Sequence, residues 1–299
     1  MRNIFLFLGL LLASFISPAQ THVLTLKLEL GQEFRQYMHN SSLVYQKIMD
    51  REVEMEVTME SELCYRVVAL VDSGYELEVW YERLIMTSLA PDGVAAISYS
   101  SDDENTGSPV SDLLDRLVRK PFLIRVSDKG VVKEISQLNR FMHEIDNTPP
   151  EHLGRLAEQF RHAFDEGSIM GNFGMLINLP EKVVGLGDTW VANFLLSTAF
   201  PVEAITTYTL VAVQDDFFVI RGNAVFASYD TTWQSTPDFD MSLSGDMISE
   251  IVLFRSTGLV QSASHIQDIR GTGFLQRPGR GEVADISIHL HNSIQINVK

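Results

Sequence analysis

The sequence predicts a mainly β protein of the α+β class: a duplicated, long-stranded antiparallel sheet, curved or closed into a half-barrel, with a central helical insertion. Three observations predict it. Apolar and polar residues alternate with period two along most of the chain, as in strands with one buried and one wet face. The alternating runs are two to three times longer than the usual strand of about five to six residues. Apart from a short run at 110–118, only the middle of the chain carries apolar residues at helical spacing, and the β-rich stretches on either side of it share residues in the same order.

The first element is an export signal. Arg2 precedes an apolar run from Ile4 to Ile16, and Ser17 and Ala19 supply the small residues of a cleavage site. The run is too short to cross a bilayer, for which about 20 residues are needed. Residues 1–19 are therefore expected to be removed, leaving an exported, periplasmic or extracellular chain with no membrane span. Leu24, Leu26, Leu28 and Leu30 then alternate with Thr25, Lys27 and Glu29.

The longest alternation is REVEMEVTMESELCYRV, residues 51–67. Val53, Met55, Val57, Met59, Leu63 and Tyr65 fall on one parity. Glu52, Glu54, Glu56, Glu60 and Glu62 fall on the other, where a solvated sheet face needs polar residues. Asp72-Ser73-Gly74 is a turn signal. Tyr75, Leu77, Val79 and Tyr81 alternate with Glu76, Glu78, Trp80 and Glu82, so 51–71 and 75–89 are predicted to form a long hairpin. The acidic stretch SSDDENTG (100–107) reads as a loop. Ser108-Pro109 opens a helix carrying Val110, Leu113, Leu114, Leu117 and Val118, which Pro121 ends. Residues 122–135 make a second hairpin around Asp128-Lys129-Gly130.

Residues 137–178 change period. Leu138, Phe141, Met142 and Ile145 form one helical stripe, and Leu153, Leu156, Phe160 and Phe164 another, with Pro149-Pro150 between them. Strands resume at Val183, and the last run alternates from Ile286 to Val298. The predicted organisation is a signal peptide at 1–19, a β-rich half at 20–136, a helical insertion at 137–180 and a second β-rich half at 181–299.

The two halves match at three points. Gly31-Gln32-Glu33-Phe34 corresponds to Gly187-Asp188-Thr189-Trp190, YRVVALVDSGY (65–75) to YTLVAVQDDFF (208–218), and the hairpin of Gly130 to that of Gly258. These motifs, with GYELEVWYERLIM (74–86), Lys120-Pro121-Phe122 and DKGVV (128–132), resemble a domain-of-unknown-function family of secreted proteins common in Bacteroidota. The resemblance is clearest over 24–145 and 180–263, and it implies a fold but no activity and no functional residue. The general shape is similar to that of periplasmic lipoprotein carriers, whose curved half-barrels shelter acyl chains; this is an analogy of fold alone.

Composition excludes some partners. With a net charge of −16 the chain repels nucleic acid and anionic lipid headgroups. Its single cysteine, Cys64, cannot form an internal disulfide and has no local partner for nucleophilic catalysis. DFDMSLSGD (238–246) spaces oxygen donors evenly. It has Leu243 and Ser249 where a calcium loop needs glycine and glutamate, so it reads as a half-exposed strand. His289 and His291 share a strand face but lack a third zinc ligand at local spacing. Gly185-Leu186-Gly187 and Gly271-Thr272-Gly273 lack the third glycine of a dinucleotide loop, and Arg277 and Arg280 lie on what reads as a hairpin turn. The expectation is a non-enzyme without cofactor or metal.

Methionine points to function. Met55 and Met59 flank Val57 on the apolar parity of 51–67, Leu77 and Val79 lie on that of 75–81, and Met86 continues the second strand; methionine adapts to irregular partners as well as filling cores. These six are the candidate ligand-binding residues for an apolar small molecule or lipid held between sheet and helices. The alternative is an interaction module in which strand edges or the acidic face recognise another envelope protein.

Overall fold

The computed structural model describes residues 20–89, 95–103, 109–137, 177–197, 201–228, 239–276 and 283–299. Its first half contains β1 (Thr21–His22), β2 (Glu33–Ile48), β3 (Arg51–Val71), β4 (Gly74–Leu89), β5 (Ala95–Ser100), α1 (Pro109–Asp115), β6 (Phe122–Ser127) and β7 (Val132–Ser136). The second half contains β8 (Val184–Gly185), β9 (Thr189–Ser197), β10 (Pro201–Val213), β11 (Phe217–Ser228), β12 (Phe239–Phe254), β13 (Val260–Gln276) and β14 (Val283–Val298).

Twelve strands form one antiparallel sheet in the order β7-β6-β4-β3-β2-β14-β13-β12-β11-β10-β9, with β5 on the far part of β4. The two ends of the described chain meet at its centre, where β14 pairs with β2 over Val298↔Gln36 to Ile286↔Ile48. The strands are long and alternate in burial: β3 has 21 residues and its hairpin partner β4 has 16. The bounds of that hairpin, and of β6 and β7 around Gly130, fall where alternation and turn residues put them.

One apolar cluster draws residues from nearly the whole width of the sheet. Val126, Leu77, Tyr65, Phe34, Val298, Leu253, Ile220 and Leu210 all enter it, which requires the sheet to curl around them. Bulges at Glu62/Leu63 and Val67/Ala69 of β3 and at Leu210/Ala212 of β10 add local twist. The centre of the curl at this end is filled by two segments that belong to no strand of the large sheet, residues 24–28 and 177–179. Leu24, Leu26 and Leu28 are buried there, as are Ile177 and Leu179. The leucine alternation thus buries Leu24, Leu26 and Leu28 but leaves Leu30 exposed, and it plugs the sheet instead of extending it.

The plug is held in the same way from both halves. Lys27 N donates to Thr257 O at 2.8 Å, and Leu179 N donates to Lys129 O at 2.9 Å. Each acceptor precedes a glycine with positive φ, Gly258 (+74°) and Gly130 (+77°). A β-carbon on Gly258 would collide with Thr25 O, and one on Gly130 with Ile177 O. Tyr75 fixes the leucine segment further, its hydroxyl donating to Leu26 O at 3.0 Å and accepting from Leu28 N at 3.2 Å.

The strand starts correspond too. Phe34 pairs with Tyr65 and Trp190 with Tyr208 in register. Their ring centroids lie 5.1 Å and 5.5 Å apart. Gly31 N donates to Val67 O and Gly187 N to Leu210 O, both at 2.8 Å.

The class is mainly β. Among the described residues the one helix is α1, seven residues long, so the α+β expectation finds no support. Leu114, Leu117 and Val118 are buried as the helical spacing required, but the helix stops at Asp115. Arg119 takes φ of +60°, and Val118 makes a parallel bridge to Tyr81, so the last apolar residues pack from a turn. The expected helical insertion likewise finds no support, since residues 138–176 lie outside the described residues.

Candidate ligand-binding face

The ladder registers arrange the inner face of the sheet in transverse rows. Next to the core runs Leu84, Ser61, Met38, Ile296, Ala263, Ile251, Ile220 and Leu210, strand by strand. The following row holds Met86, Met59, Asn40, Ile294, His265, Ser249, Gly222 and Tyr208. Beyond it lie Val57, Ser42, Asn292, Gln267, Met247, Ala224 and Thr206, and then Met55, Val44, Leu290, Ile269, Gly245 and Phe226.

All six candidate residues occupy this face, at two depths. Leu77 and Val79 are completely buried in the core cluster. Met55, Val57, Met59 and Met86 lie further along the strands and remain half-buried, as do Val44, Leu290, Ile294 and Ile269. Met59 and Met86 are direct cross-strand partners, and Met59 also faces Asn40.

Alternation in β3 and β4 did not disclose the polar belt between these apolar rows. Gln36, Ser42, Ser61, Ser88, Thr206, Ser249 and Asn292 are all buried on it. Several bond to neighbouring side chains of the same face. Asn292 Nδ2 donates to Gln267 Oε1 at 2.9 Å, Tyr65 OH to Gln36 Oε1 at 3.3 Å, and His265 Nδ1 lies 2.7 Å from Ser249 Oγ. Burial pushes the His265 imidazole down to about 4, so the ring is neutral near pH 7. Ser61 Oγ and Asn292 Oδ1 are buried without a hydrogen-bond partner among the described residues. Buried polar atoms of that kind are uncommon.

The outer face of the first half is ionic, as the glutamate parity required. Arg35 bonds Glu62 at 2.8 Å, Arg66 bonds Glu33 at 2.7 Å, and Arg83 lies between Glu60 at 3.2 Å and Asp102 at 2.6 Å. Arg125 links Glu76 and Glu134 at 3.0 and 2.9 Å. Exposed pairs of this kind contribute little each, about 0–1 kcal/mol. Cys64 lies on the same parity between Arg35 and Trp80 in the ladder, and burial pushes its thiol up to about 11. A thiol held that high is protonated and poorly nucleophilic at neutral pH.

Asp268 is a neighbour of the paired histidines that only the strand register reveals. It sits opposite His291 and accepts from His289 Nε2 at 2.8 Å, while Arg270 Nε approaches it at 3.2 Å. The carboxyl is held below its ordinary range by His289 first of all. No group of three or more metal-ligating side chains occurs among the described residues. In DFDMSLSGD, Ser242, Ser244 and Asp246 face solvent and Met241 and Leu243 turn inward, as in a half-exposed strand. Arg277 and Arg280 lie outside the described residues. No described helix is long and apolar enough to cross a membrane, which has no bearing on strands.

The model of DUF6263, a family of unknown function, matches residues 72–260. No curated protein matches the sequence. Among solved structures the chain is similar to lipovitellin, in a structure entitled "Lipid-protein interactions in lipovitellin". The identity is 9% and the TM-score 0.46, over 91% of this chain and 25% of that one. It is also similar to the outer membrane protein OprG of Pseudomonas aeruginosa, with 9% identity and a TM-score of 0.25 over 93% and 99% of the two chains. For the COG4313 outer membrane channel of Pseudomonas putida F1 the identity is 6% and the TM-score 0.20, over 92% and 97%. The chain spans about a quarter of the lipovitellin chain, and at these scores the likenesses carry no argument about function.

Proposed function

The chain belongs to DUF6263, a family of unknown function, and we propose that it is a non-catalytic binding protein for an apolar, lipid-like molecule. One observation carries this reading: apolar residues recur on the inner face beyond the sealed core, interspersed with the polar belt, and Met55, Val57, Met59 and Met86 remain partly accessible there. Apolar side chains left partly accessible beside one another are a feature of binding sites more than of sealed cores. Methionine suits it because a flexible, polarizable side chain fits guests of uneven shape. Asn292 Oδ1 and Ser61 Oγ add polar positions at which a guest carrying a hydrogen-bond donor would satisfy buried acceptors. Leu77 and Val79 support the face from the core and do not touch the guest.

Two further parts of the reading concern origin and place. The shared glycine turns, tyrosine ring pairs and plug contacts support a duplication of one β unit, with each leading segment crossing the other unit's hairpin. The apolar N-terminus supports export to the periplasm or the exterior. The direct test is mass spectrometry of organic extracts from protein purified out of its native host. A lipid-like species at near-stoichiometric amount is expected, and an empty extract from folded protein counts against the reading.

A further inference from the structure

The two halves differ in what lies beside their first long strands. Arg35 of β2 exchanges both backbone hydrogen bonds with Lys299, each at 2.9 Å, so β14 covers the outer edge of β2. The corresponding strand of the second half is β9, and its only partner among the described residues is β10. Leu210 N donates to Asp188 O at 3.1 Å. By the alternation of an antiparallel ladder, Trp190 and Ala192 then bond to β10, while Thr189, Val191 and Asn193 direct their N–H and C=O groups outward. Those are the positions in β9 at which Arg35 engages β14 in β2.

That edge borders a cleft of about 700 Å³. Five consecutive β9 residues, Thr189 to Asn193, line it together with the 178–184 segment and Val131. Consecutive residues of both parities line a cleft only if it runs along the strand's edge. The edge is also unprotected. β9 has nine residues with no charge and no proline, and its Val191 is 61% exposed. At the opposite end of the sheet β7 has five residues and carries Lys133 and Glu134, the short charged form that discourages pairing.

We propose that the outer edge of β9 is a docking site for one extended, antiparallel strand of a partner protein. Its chemistry is that of β14: apolar residues on the inward parity, as Ile294, Ile296 and Val298 are, and neutral polar residues on the other. Main-chain bonds to Val191 and Asn193 supply the affinity, in the manner of strand addition to a sheet edge. This inference is independent of the apolar guest, which occupies the sheet's inner face.

The test uses the full mature chain and a fluorescein-labelled peptide copying residues 290–299. Saturable anisotropy is expected, with amide exchange slowed at Val191 and Asn193 and unchanged at Arg35 and Tyr37. Val191→Pro and Asn193→Pro each remove an outward N–H, which an edge strand tolerates. Each should weaken binding at least about tenfold with unfolding temperature preserved, while Val191→Thr, which keeps the N–H, should bind as wild type. Absence of saturable binding overturns the proposal, as does slowed exchange at Arg35 rather than Val191. Val191 and Asn193 amides already protected in the free chain would place the chain's own backbone on the edge. A dimer by sedimentation that Val191→Pro dissociates would give the edge to a second copy. Either result also overturns it, and the exchange measurements stand even if the proline variants fail to fold.

Discussion

The carbonyl oxygen of Thr25 occupies the place that a β-carbon on Gly258 would need, just as Ile177 O does for Gly130. Both glycines have φ near +75°, at +74° and +77°. Gly31 and Gly187 share the left-handed conformation, at +80° and +88°, but a β-carbon there meets nothing within 4 Å.

The four glycines therefore separate conformational cost from collision. Alanine at Gly31 or Gly187 should cost about 1–2 kcal/mol, the ordinary penalty of the left-handed region. Alanine at Gly130 or Gly258 adds displacement of the plug and should cost about 1–3 kcal/mol more, as packing strain does. Urea unfolding of the four variants measures the difference. Equal losses at all four positions would mean that the plug is loosely held.

His265 makes stability depend on pH. Its folded value of about 4 lies below the ordinary 6.5, so the unfolded chain binds a proton that the folded chain does not. The stability that a neutral buried ring permits is therefore complete above pH 6.5 and declines as pH falls towards 4. The shift corresponds to a loss of about 3 kcal/mol across that window. His265→Gln keeps a polar partner for Ser249 and removes the titration. Its unfolding free energy should fall less steeply between pH 6.5 and 4 than that of wild type, and parallel curves would contradict the assignment.

How much of this was legible in the sequence depends on the kind of residue involved. β3 was legible to the residue and β4 to within one, because Met55, Val57 and Met59 alternate with glutamates along a strand that is wet on one side. β2 was not. Its inner parity reads Phe34, Gln36, Met38, Asn40, Ser42, and only pairing with β3 and β14 makes those polar residues part of a buried face. The leucines of 24–28 announced burial but not their place, since the same alternation serves a strand or a plug. Asp268 beside His289 and His291, and Ser249 beside His265, are products of register between β12, β13 and β14, which no local spacing encodes. The six candidate residues share one face of the sheet, but its division into sealed core and accessible rows depends on where the plug ends.

Export makes a simple demand on mass. The protein secreted by a host with a signal peptidase should begin at Gln20, because Ser17 and Ala19 provide the small residues that cleavage needs. Intact mass spectrometry of the mature protein reads the N-terminus directly. Retention of residues 1–19 would leave the apolar run as an anchor.

The inner face of β3 distinguishes a guest site from a core. Met59 is half-buried between Met86 and Asn40, so Met59→Asp places a charge with no cationic partner on a half-buried face. A loss of several kcal/mol is expected, a large part of the roughly 5–15 that domains possess. Glu56 is exposed on the opposite parity, and Glu56→Gln should change stability by no more than about 0.5 kcal/mol. Calcium or zinc should leave the unfolding temperature of wild type unchanged. A ligand bound only by the folded state raises that temperature, so a rise abolished by Glu56→Gln would make the glutamate face a cation site. The decisive comparison is between Met55→Ala and Met59→Ala on one side and Leu77→Ala on the other. If a guest lies against the accessible rows, the methionine variants should weaken uptake of a fluorescent fatty acid by delipidated protein while costing little stability. Leu77→Ala should do the reverse, losing about 2–5 kcal/mol, as deletions in sealed cores do, with affinity retained in whatever fraction stays folded. Uptake that ignores Met55 and Met59, or none by delipidated wild type, would return the methionines to plain packing.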